Sequence, residues 1–145
     1  MSKEGEILTT KLHAKARLIQ DLQISLDNGR SHCIMVDQPT DTSEGFGPTS
    51  LELCVMSHAG CYATICALTA KKMRLQLKGL EVKVEAIEAD DAGTITEENF
   101  TILMKGDAPD DRLQRLHVLT LEHCPVGVLF EKAGVKISYD IKTTK

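Results

Sequence analysis

The chain is predicted to fold as α+β, with antiparallel sheet packed on central helices. Three observations lead there. Residues 53–70 form an uncharged run of helical character, stretches on either side alternate with the period of two that marks half-buried strands, and a second helical segment breaks at Cys124-Pro125. The order is strands, long helix, strands, interrupted helix, strand. No internal repeat, low-complexity tract or linker interrupts it, so the 145 residues are expected to form one domain, 1–145.

Residues 1–6 are polar and expected to be loose. The opening, MSKEGEILTTK, lacks the apolar core of a signal peptide. From Lys11 the pattern turns to strand, Leu12, Ala14, Ala16 and Leu18 alternating against His13, Lys15, Arg17 and Ile19, and Leu22, Ile24 and Leu26 continue the alternation. Asn28-Gly29 predicts a hairpin with a type I′ turn, both of whose central residues need positive φ, and residues 30–36 return as the partner strand. Residues 37–47, DQPTDTSEGFG, read as a polar loop.

The long helix is expected over 47–72. Pro48 and Thr49 mark its start, and Thr49-x-x-Glu52 fits a capping box. Between Glu52 and Lys71 no fixed charge occurs. Eighteen such residues reach the threshold for a membrane span. Ser57, His58, Thr64, Thr69 and the many Ala, Cys and Gly residues are too weakly hydrophobic for one, so no membrane partner is expected. A helix apolar on nearly every side is a buried helix. A chain this short cannot wrap one alone, which predicts a homodimer.

Beyond the helix, residues 80–86 alternate apolar with charged as a strand, residues 90–93 form a turn, and 100–105 make the next strand. Gly106 and the acidic residues after it open a second helix, suiting its positive N-terminal end. Leu113, Leu116, Leu119 and Thr120 keep helical spacing, and the helix runs to about His123. Pro125 interrupts it, because proline lacks the N–H and disfavours helical geometry in the residue before it. Residues 126–133 resume as a short helix, Gly134 stops it, and 135–141 alternate as a last strand.

A net charge of −4 with scattered basic residues, and 3% aromatics, argue against a nucleic-acid partner. Five cysteines without an export signal argue against a disulfide framework. A cytoplasmic location with reduced thiols is expected.

Cys61 and Cys124 stand out among the candidates for chemistry. A reactive cysteine works as the thiolate, which forms near a positive charge or a helix N-terminus. Pro125 suits the first position of a helix, which places Cys124 near the N-cap of the short helix, where free N–H groups stabilise a thiolate. Cys61 lies about three turns inside its helix and needs a cation from elsewhere. His58, three residues before it, shares a helix face with it and is a candidate base or polarising neighbour. The plain alternative is that all three are buried packing residues. Packing is the reading for Cys33, Cys54 and Cys66, and a local cap explains Glu52. His58-x-x-Cys61 with His123-Cys124 offers four zinc-type ligands, but adjacent helical residues point apart and knuckle spacing is absent, so no metal is expected. No Walker loop, GxGxxG, nucleophile elbow or metalloprotease helix occurs, and no cofactor is expected.

In combination, Pro48-x-x-x-Glu52-Leu53, His58-Ala59-Gly60-Cys61 and Cys124-Pro125-Val126 resemble the OsmC/Ohr family of thiol-dependent hydroperoxide peroxidases. The 62 residues between the two cysteines and the order of elements also fit, over about residues 11–142. The resemblance implies an OsmC-like fold with a long buried central helix, completed as an intertwined homodimer with sites at the interface. It implies Cys61 as the peroxidatic thiol, forming a sulfenic acid, and Cys124 as its partner in a Cys61–Cys124 disulfide. A small dithiol or dithiol protein would reduce that disulfide. Ala59, Ala63, Val126 and His58 would line the substrate site, and their small apolar surface would suit organic hydroperoxides better than hydrogen peroxide. Arg17, and second to it Arg30, would hold the thiolate. In well-understood members a glutamate ten residues before the first cysteine pairs with that arginine. Here Leu51 stands at that position and Glu52 one residue later, about 100° further round the helix, which marks a divergent branch; Glu52 still fits the broader family motif, and the resemblance keeps it as a catalytic candidate beside its capping role. The alternative that this departure motivates is a redox-sensing or ligand-binding dimer on the same scaffold with little or no catalysis.

Overall fold

The computed structural model describes Gly5 and residues 7–145, so most of the segment expected to be loose lies outside the described residues. The chain divides into two compact units, Met1–Leu53 and Cys54–Lys145, with the boundary inside the first turn of the long helix.

In the first unit, β1 (Lys15–Gln20), β2 (Gln23–Asp27) and β3 (Cys33–Val36) form an antiparallel sheet in that order. The alternation seen from Lys11 to Leu26 is thus two strands, not one. Asp21, at φ 48°, makes the turn between them, and the preceding four residues from Lys11 stay outside the sheet. The hairpin at Asn28-Gly29 is present, but as a five-residue connection. Asp27 pairs with Cys33, and only Gly29 of the two takes positive φ. Side chains explain the longer loop: Asp27 Oδ1 accepts from Gly29 N–H at 2.8 Å, and Asn28 Oδ1 accepts from the N–H groups of Arg30 and His32. Such local bonds favour an open turn over the tight type I′ form. Every residue of β1 is exposed.

The loop that follows is organised by Asp37, whose two carboxylate oxygens accept from the N–H groups of Gln38 and Phe46 at 2.8 and 3.0 Å. Gly47 passes against the Met35 carbonyl so closely that a Cβ would lie 2.4 Å from its oxygen. α1 (Ser50–Lys72) then begins with the expected capping box. Thr49 N–H donates to Glu52 Oε2 at 2.8 Å, and Glu52 N–H donates to Thr49 Oγ1 at 3.1 Å.

The second unit carries the remainder of α1, then β4 (Leu77–Ala89), β5 (Thr94–Gly106), α2 (Asp110–His123), α3 (Pro125–Lys132) and β6 (Lys136–Thr144). The sheet order is β4-β5-β6. β4 and β5 form the expected antiparallel hairpin, while β5 and β6 run parallel. The α+β class holds, and the expectation of a wholly antiparallel sheet does not. The α2–α3 connection carries the chain back to the starting end of β5 before β6 begins, as a parallel pair requires. β5 also begins six residues earlier than its apolar run, because Glu97, Glu98 and Asn99 hide the strand in the sequence.

The core joins Tyr62, Cys66 and Ala70 of α1 to Phe100, Ile102 and Met104 of β5 and to Leu113 and Leu116 of α2. On β5 the buried residues Glu98, Phe100, Ile102 and Met104 follow the strand period of two. On α1 the buried residues are His58, Tyr62, Cys66 and Ala70, four apart along one stripe. The expectation of a helix buried all round is therefore not met within one chain. Met56 and Leu68 are half exposed, and only 22% of the apolar window is buried. α1 is the one helix among the described residues long and apolar enough to cross a membrane.

Candidate functional site

Three elements of the second unit build a site around His58 and Cys124, which meet at Gly127. α1 contributes His58 and Cys61, β5 contributes Glu98, and α3 contributes Cys124 and Gly127. Cys124 occupies the N-cap of α3, with Pro125 behind it, and its sulfur accepts from Gly127 N–H at 3.4 Å. The proline break read from the sequence thus produces the capping geometry expected of it. The thiolate expected from that geometry does not follow. Burial pushes the Cys124 thiol up to about 11, with the Gly127 and Val126 N–H groups offsetting only part and the adjoining Cys61 thiol adding to the rise. Desolvation outweighs two N–H donors because Cys124 is 1% exposed. Cys61 is half-buried, reaches the Cys124 side chain, and both are free thiols.

His58 is fully buried and fixed on three sides. Its Nδ1 lies 2.5 Å from Glu98 Oε2. Phe130 stacks on its ring at 4.7 Å and Phe100 meets it edge-on at 4.7 Å. Since a carboxylate only accepts, Nδ1–H donates, and in the neutral ring Nε2 carries the free lone pair. Nε2 and the Cys124 sulfur face the same glycine: a methyl on Gly127 would lie 3.2 Å from Nε2 and 3.4 Å from Sγ. Glu98 is itself wholly buried, and its Oε1 has no partner among the described residues.

A second polar pair lies deeper. Tyr62 Oη and His117 Nδ1 are 2.6 Å apart. Burial drives the Tyr62 hydroxyl far above its usual range and lowers His117, so the hydroxyl donates to a neutral imidazole. Tyr139 lies across both rings, its own hydroxyl raised to about 12 by burial and by Glu131.

Of the residues singled out from sequence, His58, Cys61 and Cys124 come together. Ala59 and Ala63 flank Cys61 on α1 and Val126 lies on α3, all half-buried. Arg17 is exposed on β1 and Arg30 is exposed in the β2–β3 loop. Glu52 is occupied by the capping box. Cys66 is buried as expected, whereas Cys33 and Cys54 are exposed and do not pack. Cys33 sits on a sheet that buries little, beside Ser25 Oγ at 3.2 Å, and Cys54 falls outside the buried stripe of α1. No cluster of metal ligands occurs among the described residues.

Glu98 is the site residue that sequence reasoning missed. The signal was its phase: counting back by two from Phe100 puts a carboxylate on the core face of a strand. His117 and Tyr62 gave no signal, since only tertiary packing pairs residues 55 apart.

The OsmC-like protein family model matches residues 41–140. Among solved structures the fold is similar to an OsmC-like protein from Mycoplasma pneumoniae, with TM-score 0.82, 18% identity, and coverage of 95% of this chain and 100% of that one. It is similar to an organic hydroperoxide resistance protein from Elizabethkingia anophelis, with TM-score 0.72, 12% identity, and coverage of 94% and 99%. It is also similar to the organic hydroperoxide resistance protein OhrB of Bacillus subtilis, with TM-score 0.63, 17% identity, and coverage of 92% and 98%. No curated protein sequence is significantly similar to the chain. With two thirds of its length matched, and with the fold in agreement, the chain belongs to the OsmC-like protein family.

Proposed function

We propose that this protein is a thiol-dependent peroxidase that reduces organic hydroperoxides, and hydrogen peroxide less well. The observation that carries the reading is the pairing of two reduced thiols, Cys61 on α1 and Cys124 at the α3 N-cap, near enough to influence each other. The Cys61 thiolate attacks the O–O bond, releases an alcohol, and becomes a sulfenic acid. Cys124 condenses with it to a disulfide, and an external dithiol restores both thiols. The assignment of roles follows exposure. Half-buried Cys61 is open to a substrate, and buried Cys124 stays a thiol until its partner is oxidised. Arg17 is the proposed source of the cation that Cys61 needs. The hydroperoxide resistance named for two of the similar structures supports this substrate class.

The working unit in this reading is a homodimer in the cytoplasm. The outward face of α1 and the whole of β1 lie exposed in one chain, and a second copy supplies cover of matching apolar character. The buried His58–Glu98 contact ties α1 to β5, which fits a helix packed in protein better than one crossing a lipid bilayer. A redox-sensing dimer is the second reading, favoured by Glu52 being engaged by Thr49. The two are separated by dithiol-coupled turnover of cumene hydroperoxide alongside hydrogen peroxide. Multiple turnover that vanishes in both Cys61→Ser and Cys124→Ser is expected. Full turnover in either variant rejects the mechanism, and a single slow oxidation event selects the sensor.

A further inference from the structure

His58 and Glu98 have no part in the chemistry above, yet they form a costly arrangement. An apolar pair of the same volume would hold α1 against β5 at least as well, since buried polar groups recover their desolvation only with excellent geometry. What the pair provides beyond packing is a ring nitrogen of fixed direction. Glu98 Oε2 fixes the tautomer and Phe130 and Phe100 fix the plane. The remaining nitrogen then faces the patch of Gly127 that the Cys124 sulfur also faces. No side chain intervenes, because residue 127 has none.

Resting on the peroxidase reading, we infer that His58, oriented by Glu98, takes the proton from the Cys124 thiol as Cys124 attacks the Cys61 sulfenic acid. The step balances without further reagents. The Cys124 S–H proton passes to His58 Nε2, directly after rotation about the Cys124 side chain or through one water. The S–S bond forms as the Cys61 S–O bond breaks, and the imidazolium gives its proton to the departing hydroxide as water. Glu98 stabilises the transient imidazolium across its 2.5 Å contact. The step needs such a base, because burial keeps the Cys124 thiol protonated up to about pH 11. Among the described residues, Tyr62 and Tyr139 also lie near Cys124, and burial holds their hydroxyls protonated. Glu131 bears on Tyr139 from α3, and His117 is engaged by Tyr62. Among the described residues, His58 is thus the group beside Cys124, across Gly127, that can accept a proton. Its action on that sulfur makes it catalytic for the second half-reaction, and Glu98 is a positioning residue.

The test separates the two half-reactions in the full-length protein. After mixing with cumene hydroperoxide, samples are quenched at intervals with a sulfenic-acid trap and a thiol alkylator. Mass spectrometry then follows Cys61 sulfenic acid and the Cys61–Cys124 disulfide. His58→Asn keeps a donor where Nδ1 was but cannot accept a proton, and the disulfide step is expected to slow by about 100-fold. Its rate should rise about tenfold per pH unit toward the Cys124 value of about 11, a steeper dependence than the wild type shows. Glu98→Gln, which preserves size, should show the same slope with about tenfold slowing, and stands in should His58→Asn not fold. An unchanged disulfide rate, or a slower rate with the wild-type pH profile, overturns the inference while leaving the peroxidase reading intact. Absence of any Cys61 sulfenic acid in the wild type rejects both.

Discussion

The His58–Glu98 pair makes a stability prediction of unusual sign, in which two substitutions do less harm than one. His58→Leu removes the only partner of Glu98 among the described residues and leaves a carboxylate of 0% exposure with both oxygens unpaired. Breaking a buried pair from one end costs about 3–5 kcal/mol. Leucine has similar volume and keeps most of the contact with Phe100 and Phe130, so packing adds less than about 1.5 kcal/mol. Against a total stability of about 5–15 kcal/mol, that loss is a large fraction. Replacing Glu98 by Leu as well removes the stranded charge and extends the apolar face of β5, which already carries Phe100, Ile102 and Met104. The double variant is expected within about 2 kcal/mol of wild type, and so about 1 kcal/mol or more above the single. Urea unfolding followed by circular dichroism at pH 7 reads this. At a slope of about 2 kcal/mol/M the two midpoints differ by about 0.5 M or more. All three proteins need the same concentration, because a second copy would add its own stabilisation. A double variant no more stable than His58→Leu refutes the reasoning, since Glu98 would then not be held by His58.

Two further outcomes follow from the same site. Burial lowers His117 below the ordinary imidazole value of 6.5, so between that value and its folded value the unfolded chain binds the extra proton. Stability therefore falls as pH drops below about 6.5, by at most about 1.4 kcal/mol per pH unit. In denaturant titrations at several pH values, His117→Gln should lack that share of the acid loss, and an identical slope contradicts it. Gly127→Ala gains about 1 kcal/mol of helix propensity. It also places a methyl 3.2 Å from a ring nitrogen that cannot retreat, at a crowding cost of about 1–3 kcal/mol. A net loss is expected by urea unfolding, and a stabilised variant contradicts the packing described.

Much of the architecture was legible because it rests on local rules. Thr49 and Glu52 cap each other three residues apart, Pro125 cannot continue a helix, and the alternation of Leu80, Val82 and Val84 survives as the inner face of β4. The misreadings share one cause, competition between a local signal and a distant partner. Glu97 to Asn99 look like a loop until β4 and β6 pair with them on either side. The parallel direction of β6 depends on where α2 and α3 deliver the chain, which no residue of β6 encodes. Cys124 has the cap geometry of an activated thiol, but burial by neighbours far away in the chain outweighs that local effect.

By itself the sequence determined the class of fold, the long uncharged helix, the break before α3, and the two cysteines on which chemistry would turn. These follow from periodicity, capping and proline geometry, all of which act over a few residues. Only the tertiary structure decided that Glu98 meets His58 across 40 positions, that Cys124 lies beside both Cys61 and Gly127, and that Cys124 stays protonated there. Those outcomes depend on desolvation and on which side chains touch, and both are properties of the packed chain rather than of any segment within it.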